Sequence, residues 1–296
     1  MHPYYAYVLD DYRRLIGFVS LKDLIVARPG ARVRDIMHSE VIHSRVTDDQ
    51  EDAARLIQKY DLLALPVING GDALVGIITH DDAFDIITQE QTEDIEKLMA
   101  IGGQHQSGVY LQTPARVHLR NRVGWIIGLA FLGLVSGFIV QHFEGMLIQF
   151  AILATFMPML ADTGGNTGSQ SATLVIRALA LQEISVKDVF RVLLKELQVA
   201  VPLGLLLAGL AWVRVYLFAG GNGMPPGTSV FLVGIAIGTA LGLQVITATL
   251  IGAILPLLAE RLNLDPAVVA SPALTTVVDI TGLLIFFMTA KLILGL

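Results

Sequence analysis

The chain contains no cysteine, which excludes disulfides, thiolate metal sites and a cysteine nucleophile. Charge is also scarce: 16% of the 296 residues are charged and 54% are hydrophobic, whereas soluble domains carry about 25% charged residues. Together with a mean hydropathy of +0.64, this excludes disorder and an ordinary soluble enzyme. The seven histidines show no H-E-x-x-H or similar spacing, so none is assigned as a metal ligand. No Ser/His/Asp arrangement and no pair of catalytic acids stands out, and the chain is not read as an enzyme. No basic head followed by an apolar run opens the sequence, so no cleavable signal is visible.

The charge that is present lies unevenly. Residues 1–113 hold 10 Lys and Arg against 18 Asp and Glu, net −8; residues 114–296 hold 10 against 8, net +2. An acidic soluble segment therefore precedes a long apolar one.

The soluble segment contains an internal repeat. Gly17-Phe18-Val19-Ser20-Leu21-Lys22-Asp23 matches Gly76-Ile77-Ile78-Thr79-His80-Asp81-Asp82 at an offset of 59 positions, and Tyr7-Val8 keeps that offset with Pro66-Val67. Each copy ends as a short apolar strand, then Ser/Thr-x-x-Asp, then an apolar helix. The hydroxyl suits a helix N-cap; the Asp, at a strand–turn–helix junction, is placed to grip a ribose. The second copy adds an upstream part from Val33 to Tyr60 whose counterpart in the first would precede residue 1, so the expectation is a chain that begins within a repeat. These residues resemble a tandem pair of cystathionine-β-synthase-type (CBS) domains over roughly 4–90. That resemblance implies a regulatory module sensing adenine nucleotides or ions.

The apolar segment is long enough to cross a bilayer several times, since one crossing takes about 20 apolar residues. Five helices are predicted, at about 121–141, 146–180, 189–218, 229–259 and 267–294. The second is too long for one straight span and is expected to break or extend at Thr163-Gly164-Gly165-Asn166. Arg116, Arg120, Arg122, Arg177, Lys187, Arg191 and Lys195 mark the cytoplasmic side, while the loops at 142–145 and 219–228 carry no Lys or Arg. The expected fold is thus an α/β CBS-type cytoplasmic domain followed by an all-α transmembrane domain of five helices. An odd number of spans puts the C-terminus outside.

Asp279 is the sharpest chemical signal, because a carboxylate near midspan costs roughly 2.5–3.5 kcal/mol and marks a functional site by default. Helical spacing puts Ser271, Thr275 and Gly282 on its face. The alternative is a structural Asp paired with a hydroxyl or backbone group. Thr163–Gln170 is the second signal: small-residue helix packing, or close backbone approach with Asn166 lining a pore. No Lys follows its glycines and no strand precedes them, which argues against a phosphate loop. Pro272 is expected to free a backbone carbonyl for a cavity. The acidic surface, with oxygen ligands alone, suits Mg²⁺ or Ca²⁺ rather than zinc.

Taken together, the chain resembles the MgtE family of magnesium channels. The resemblance rests on Pro158-x-x-x-Asp162-Thr163-Gly164-Gly165-Asn166-x-Gly168-Ser169-Gln170, Arg177-Ala178-Leu179-Ala180, Lys195-Glu196, and Asp265-Pro266-Ala267 followed by Pro272-x-x-Thr275-Thr276-x-x-Asp279-x-x-Gly282. It implies a homodimer in the cell inner membrane with no nucleic-acid partner, passing Mg²⁺ inward through a pore on the two-fold axis. It makes Asp279 the selectivity carboxylate, with Asn166, Thr275 and Ser271 as pore residues. It assigns regulatory Mg²⁺ to Asp49, Glu51, Asp61, Asp82, Asp85, Glu90 and Glu93, and ATP to Tyr5, Ser20 and Asp23. The implied organisation is a partial first CBS domain at 1–30, a second at 31–90, a linker (plug) helix at 91–120 and a pore domain at 121–296. The rivals are a CBS-regulated membrane sensor that transports nothing and a transporter of another divalent cation, Co²⁺ or Mn²⁺.

Overall fold

The computed structural model describes residues 4–103, 110–218, 223–269 and 272–296. They form two units, 4–93 and the remainder, with the boundary inside one helix.

In the first unit, β1 (Tyr5–Leu9) pairs antiparallel with β2 (Leu15–Ser20) in the register Tyr5↔Ser20, with an irregularity between Val8 and Leu9. Fifty-nine residues on, β4 (Ala64–Ile68) pairs with β5 (Leu74–Thr79) in the register Ala64↔Thr79, irregular between Val67 and Ile68. The repeat therefore extends to register and bulge. The copies also join symmetrically. Leu15 N–H donates to the Asp72 carbonyl and Leu74 N–H to the Arg13 carbonyl, both at 3.0 Å. Arg13 and Asp72, at equivalent positions, both turn left-handed, with φ of 63° and 60°. A short β3 (Ser44–Arg45) lies parallel to β4.

Four helices flank these strands: α1 (Leu21–Val26), α2 (Val33–Ile36), α3 (Gln50–Lys59) and α4 (His80–Leu98). The apolar stripe of α3 buries Ala53, Ala54 and Ile57 against Leu65 and Ala83, as an amphipathic helix does.

The second unit is helical: α5 (Ala115–His142), α6 (Glu144–Gln149), α7 (Ala151–Ala154), α8 (Met157–Ala180), α9 (Val189–Phe218), α10 (Val230–Arg261) and α11 (Pro272–Leu294). Among the described residues, four stretches are long and apolar enough to cross a membrane: α5, 186–218, α10 and α11. The 24-residue α8 is the fifth long helix. Its polar, glycine-rich stretch lowers its hydropathy.

The predicted second helix is corrected. It does not run unbroken from 146 and does not break at Thr163–Asn166. It breaks at Phe150, whose φ of −122° and ψ of 71° leave the helical region, and again before Met157. Pro158 lies in the first turn of α8, where a missing N–H costs nothing. Arg214 covers this break: its guanidinium lies 4.1 Å from the Phe156 ring centre, and Nη1 donates to the Thr155 carbonyl at 3.3 Å. The glycines of α8 stay helical because they are packing positions. The last helix is also shorter than predicted, starting at Pro272 after a 3-10 turn at Pro266–Val269.

The core of this unit is α10, which packs against α9, α8 and α11. Of its most apolar 18-residue window 56% is buried, against none for α5. Gly234, Gly238 and Gly242, one per turn of α10, face Trp212, Ala208 and Gly204 of the antiparallel α9. Lipid supplies no hydrophobic drive between helices, so such small-residue seams let dispersion hold them together.

A methyl group at Gly238 would lie 2.8 Å from the Ala208 carbonyl oxygen, whereas one at Gly209 meets nothing within 4 Å. Gly238→Ala is therefore expected to destabilise the unit by about 1–3 kcal/mol, and Gly209→Ala to be neutral or slightly stabilising. Thermal melts of the full chain in detergent check both; equal effects would contradict the seam.

Candidate ion path and nucleotide site

Among the described residues, those singled out as candidate pore residues lie on α8 and α11. The inward side of α11 is apolar or small, with Leu274, Val278 and Gly282 all buried. Asp279 follows Val278 and is partly exposed. It makes no hydrogen bond or ion pair with any described residue. One turn earlier, the Thr275 hydroxyl donates to the Pro272 carbonyl at 3.1 Å, and Thr276 donates to the same oxygen at 3.0 Å. Pro272 thus opens α11, and its own carbonyl accepts from both hydroxyls. A hydroxyl whose proton is engaged presents only acceptor lone pairs outward.

The Thr275 methyl lies 3.4 Å from the point where a Cβ on Gly165 would stand, so α8 and α11 meet at that pair. Asn166, the next residue of α8, is exposed and hydrogen-bonds to no described residue. The Thr167 hydroxyl turns back to the Thr163 carbonyl at 2.9 Å. Ser271 lies outside the described residues.

Gln244 escaped the reading from sequence. It is completely buried in α10 and its Nε2 donates to the Val278 carbonyl at 3.1 Å. Its signal was available: Gln244 is the single amide side chain in α10 and lies in the middle of its uncharged stretch. A second omission is the Lys97 Nζ–Asp265 Oδ2 ion pair at 2.8 Å, which ties the last turn of α4 to the turn preceding α11. Asp265 also accepts from the Ala267 N–H at 2.9 Å.

The acids assigned to regulatory Mg²⁺ are dispersed. Asp49 caps α3, accepting from Glu51 N–H at 2.9 Å, and Glu51 pairs with Arg55 at 2.5 Å. Asp61 sits just past the end of α3 with φ of 51°. Asp82 is held by the Thr79 hydroxyl and by its backbone N–H, the latter at 2.9 Å. Glu90 accepts from Gln50 at 2.6 Å. Asp85 is exposed and Glu93 partly so, both on α4. Among the described residues, no three His, Asp or Glu side chains gather closely enough to hold a metal within one chain.

Tyr5, Ser20 and Asp23 do come together. Tyr5 is the cross-strand partner of Ser20, and Ser20 and Asp23 form a reciprocal capping box at the start of α1. His38, which the sequence did not single out, reaches Asp23 at 3.2 Å and stacks on Phe18 with ring centres 5.1 Å apart. Tyr5 packs on Phe18 in a T-shaped arrangement with ring centres 5.6 Å apart. The result is an aromatic shelf beside a carboxylate. The hydroxyl and backbone N–H of Ser20 hold the Asp23 carboxyl below its ordinary range, and His38 adds to this.

Known proteins bear on this geometry. Residues 157–289 match the MgtE family, described as a divalent cation transporter, and residues 33–89 match the CBS domain. The magnesium transporter MgtE of Thermus thermophilus is 44% identical over 291 residues, covering 98% of this chain and 62% of the relative. Those of Bacillus subtilis and Enterococcus faecalis are 38% and 33% identical, covering 96% and 98% of this chain and 60% and 61% of the relatives. The chain belongs to the MgtE family. It spans about three-fifths of the length of these relatives. The MgtE match covers α8 to α11, the helices that carry Asn166, Gln244, Thr275 and Asp279.

The lowered carboxyl of Asp23 gives a pH test. Stability from this group is present above its unfolded value of about 3.9 and is lost as pH falls through the lower folded value. The Asp23 side-chain carbon resonance is expected to titrate below about 3.9. Ser20→Ala should raise the midpoint more than His38→Ala. A midpoint at or above the ordinary value would contradict the capping arrangement.

Proposed function

We propose that this chain forms the pore and part of the regulatory region of a magnesium channel that admits Mg²⁺ to the cytoplasm. The observation that carries the proposal is Asp279, a carboxylate without a partner among the described residues, set in an apolar helix that packs on the glycines of α8. Mg²⁺ gives up its water reluctantly, so a selective site holds the hydrated ion by hydrogen bonds from its waters. Asp279, the acceptor side of Thr275, Asn166 and Ser271 supply such acceptors. One carboxylate balances half the charge of a divalent cation; two, one per subunit of a homodimer, balance all of it. We assign no enzymatic step to the chain.

In this reading the acidic region at 1–113 and the helix that leaves it sense cytoplasmic Mg²⁺ through Asp49, Glu51, Asp61, Asp82, Asp85, Glu90 and Glu93. These carboxylates are dispersed within one chain, so ions reach them at shared or successive positions and act jointly. ATP is the second regulator, with adenine on the shelf of Tyr5 and Phe18 and its ribose on Asp23. Residues 1–30 and 31–90 act as the two CBS modules, 91–120 as the linker and 121–296 as the pore domain. Arg116, Arg120 and Arg122 keep the N-terminal side in the cytoplasm.

The test is growth of a transport-deficient bacterial strain on limiting magnesium. The parent chain is expected to restore growth on limiting magnesium, and Asp279→Asn to restore it only at much higher magnesium, with reduced but measurable Mg²⁺ flux, while still inserting at parental levels. Unchanged Mg²⁺ uptake in the variant would overturn the pore assignment. For ATP, calorimetry on the purified chain is expected to show binding that Asp23→Ala weakens at least about tenfold, as loss of a charged hydrogen-bonding partner does. An absence of heat at millimolar ATP would remove the nucleotide from the account.

A further inference from the structure

Gln244 is the most deeply buried polar side chain among the described residues. It is 0% exposed in the middle of α10, and its amide lies between two glycines on different helices. A Cβ on Gly164 of α8 or on Gly282 of α11 would collide with that amide. Its Nε2 donates to the Val278 carbonyl at 3.1 Å, where the Thr281 hydroxyl also donates at 3.1 Å. A carbonyl only accepts, so the amide nitrogen must face it and the amide oxygen must face away. That oxygen is buried without a hydrogen-bond partner.

An unsatisfied buried acceptor is costly, and an apolar side chain of similar size would avoid that cost. The arrangement is therefore poor as mere filling. The carbonyl carbon of Val278 is bonded to the backbone nitrogen of Asp279, so the amide grips the peptide unit that carries the carboxylate. It also wedges against Gly164, two residues before Asn166.

We propose that Gln244 is a positioning residue for ion selection: it sets the height and rotation of α11 against α8, and so the place of the Asp279 carboxylate. This rests on the pore reading above. The residue does not touch the ion; it acts through Asp279. A displacement of the carboxylate on the ångström scale weakens the hold on a hydrated ion while leaving the path open.

The test is Mg²⁺ flux into vesicles reconstituted with the full chain, measured for Gln244→Met alone and together with Asp279→Asn. Methionine keeps the length and removes the donor. Gln244→Met is expected to raise the half-saturating Mg²⁺ concentration by about tenfold, with a smaller change in maximal flux and a reduced preference for Mg²⁺ over Ca²⁺. In the Asp279→Asn background the same substitution should change the half-saturating concentration by no more than about twofold, the non-additivity of two residues acting as one. Equal effects in both backgrounds, or no effect in the parent, would overturn the proposal and leave the pore reading standing. Unchanged flux on Asp279→Asn alone would overturn both. Should Gln244→Met fail to assemble, Gln244→Asn carries the test with the same outcomes, because it keeps a buried amide one methylene too short to reach Val278.

Discussion

Close approach of helix backbones along α10 is the constraint on which the second unit depends. Inside a bilayer, hydrocarbon solvates apolar side chains as well as a neighbouring helix does, so association has to come from packing and from satisfied polar groups. Glycines let α10 meet α9 on one side and α8 and α11 on another. The functional reading follows from this geometry: with Gly164 and Gly165 at the contacts, α11 comes near enough to α8 for one carboxylate-bearing face to lie beside a short run of polar side chains. Larger residues there would part the helices and dilute the acceptors.

The same logic explains why side-chain protons are handled locally. The hydroxyls of Thr167, Thr275, Thr276 and Thr281 all donate to carbonyls of their own helices. Each avoids an unpaired donor in an apolar medium and keeps lone pairs available. Asp279 has no such local partner. In the first unit the hydroxyls of Ser20 and Thr79 work differently: each caps a helix in a reciprocal arrangement with an Asp three residues on. Both readings of the Ser/Thr-x-x-Asp motif are compatible, since capping orients Asp23 beside the Tyr5–Phe18–His38 shelf.

Much of this was legible in the residues because the signals were local or periodic. A 59-residue offset in Gly, Ser/Thr and Asp carried over to strand register and even to the position of the bulge, since bulge and turn are properties of short segments. Asp279 stood out because a single charge in an apolar run is expensive. The break before α8 was misplaced for a physical reason: Thr163–Gln170 has the composition of a helix breaker, but tertiary packing on α10 and α11 keeps it helical, while Phe150 leaves helical dihedrals without any compositional mark. Gln244 was missed because its partners lie 34 residues away at Val278 and on two other helices, and no pattern along α10 reveals them. The acidic cluster looked continuous in sequence, yet caps, an ion pair and helix periodicity disperse it.

We propose that Mg²⁺ passes selectively along the Asp279-bearing side of α8 and α11, with one Asp279 carboxylate supplied by each subunit. The direct measurement is the current across a planar bilayer containing the purified full chain, with Mg²⁺ as the sole permeant cation on one side and Na⁺ or Ca²⁺ exchanged for it. The account predicts a current that saturates with Mg²⁺ and falls when Mg²⁺ is replaced. A chain that inserts fully and passes no Mg²⁺ current, or passes Na⁺ and Ca²⁺ equally well, would contradict it.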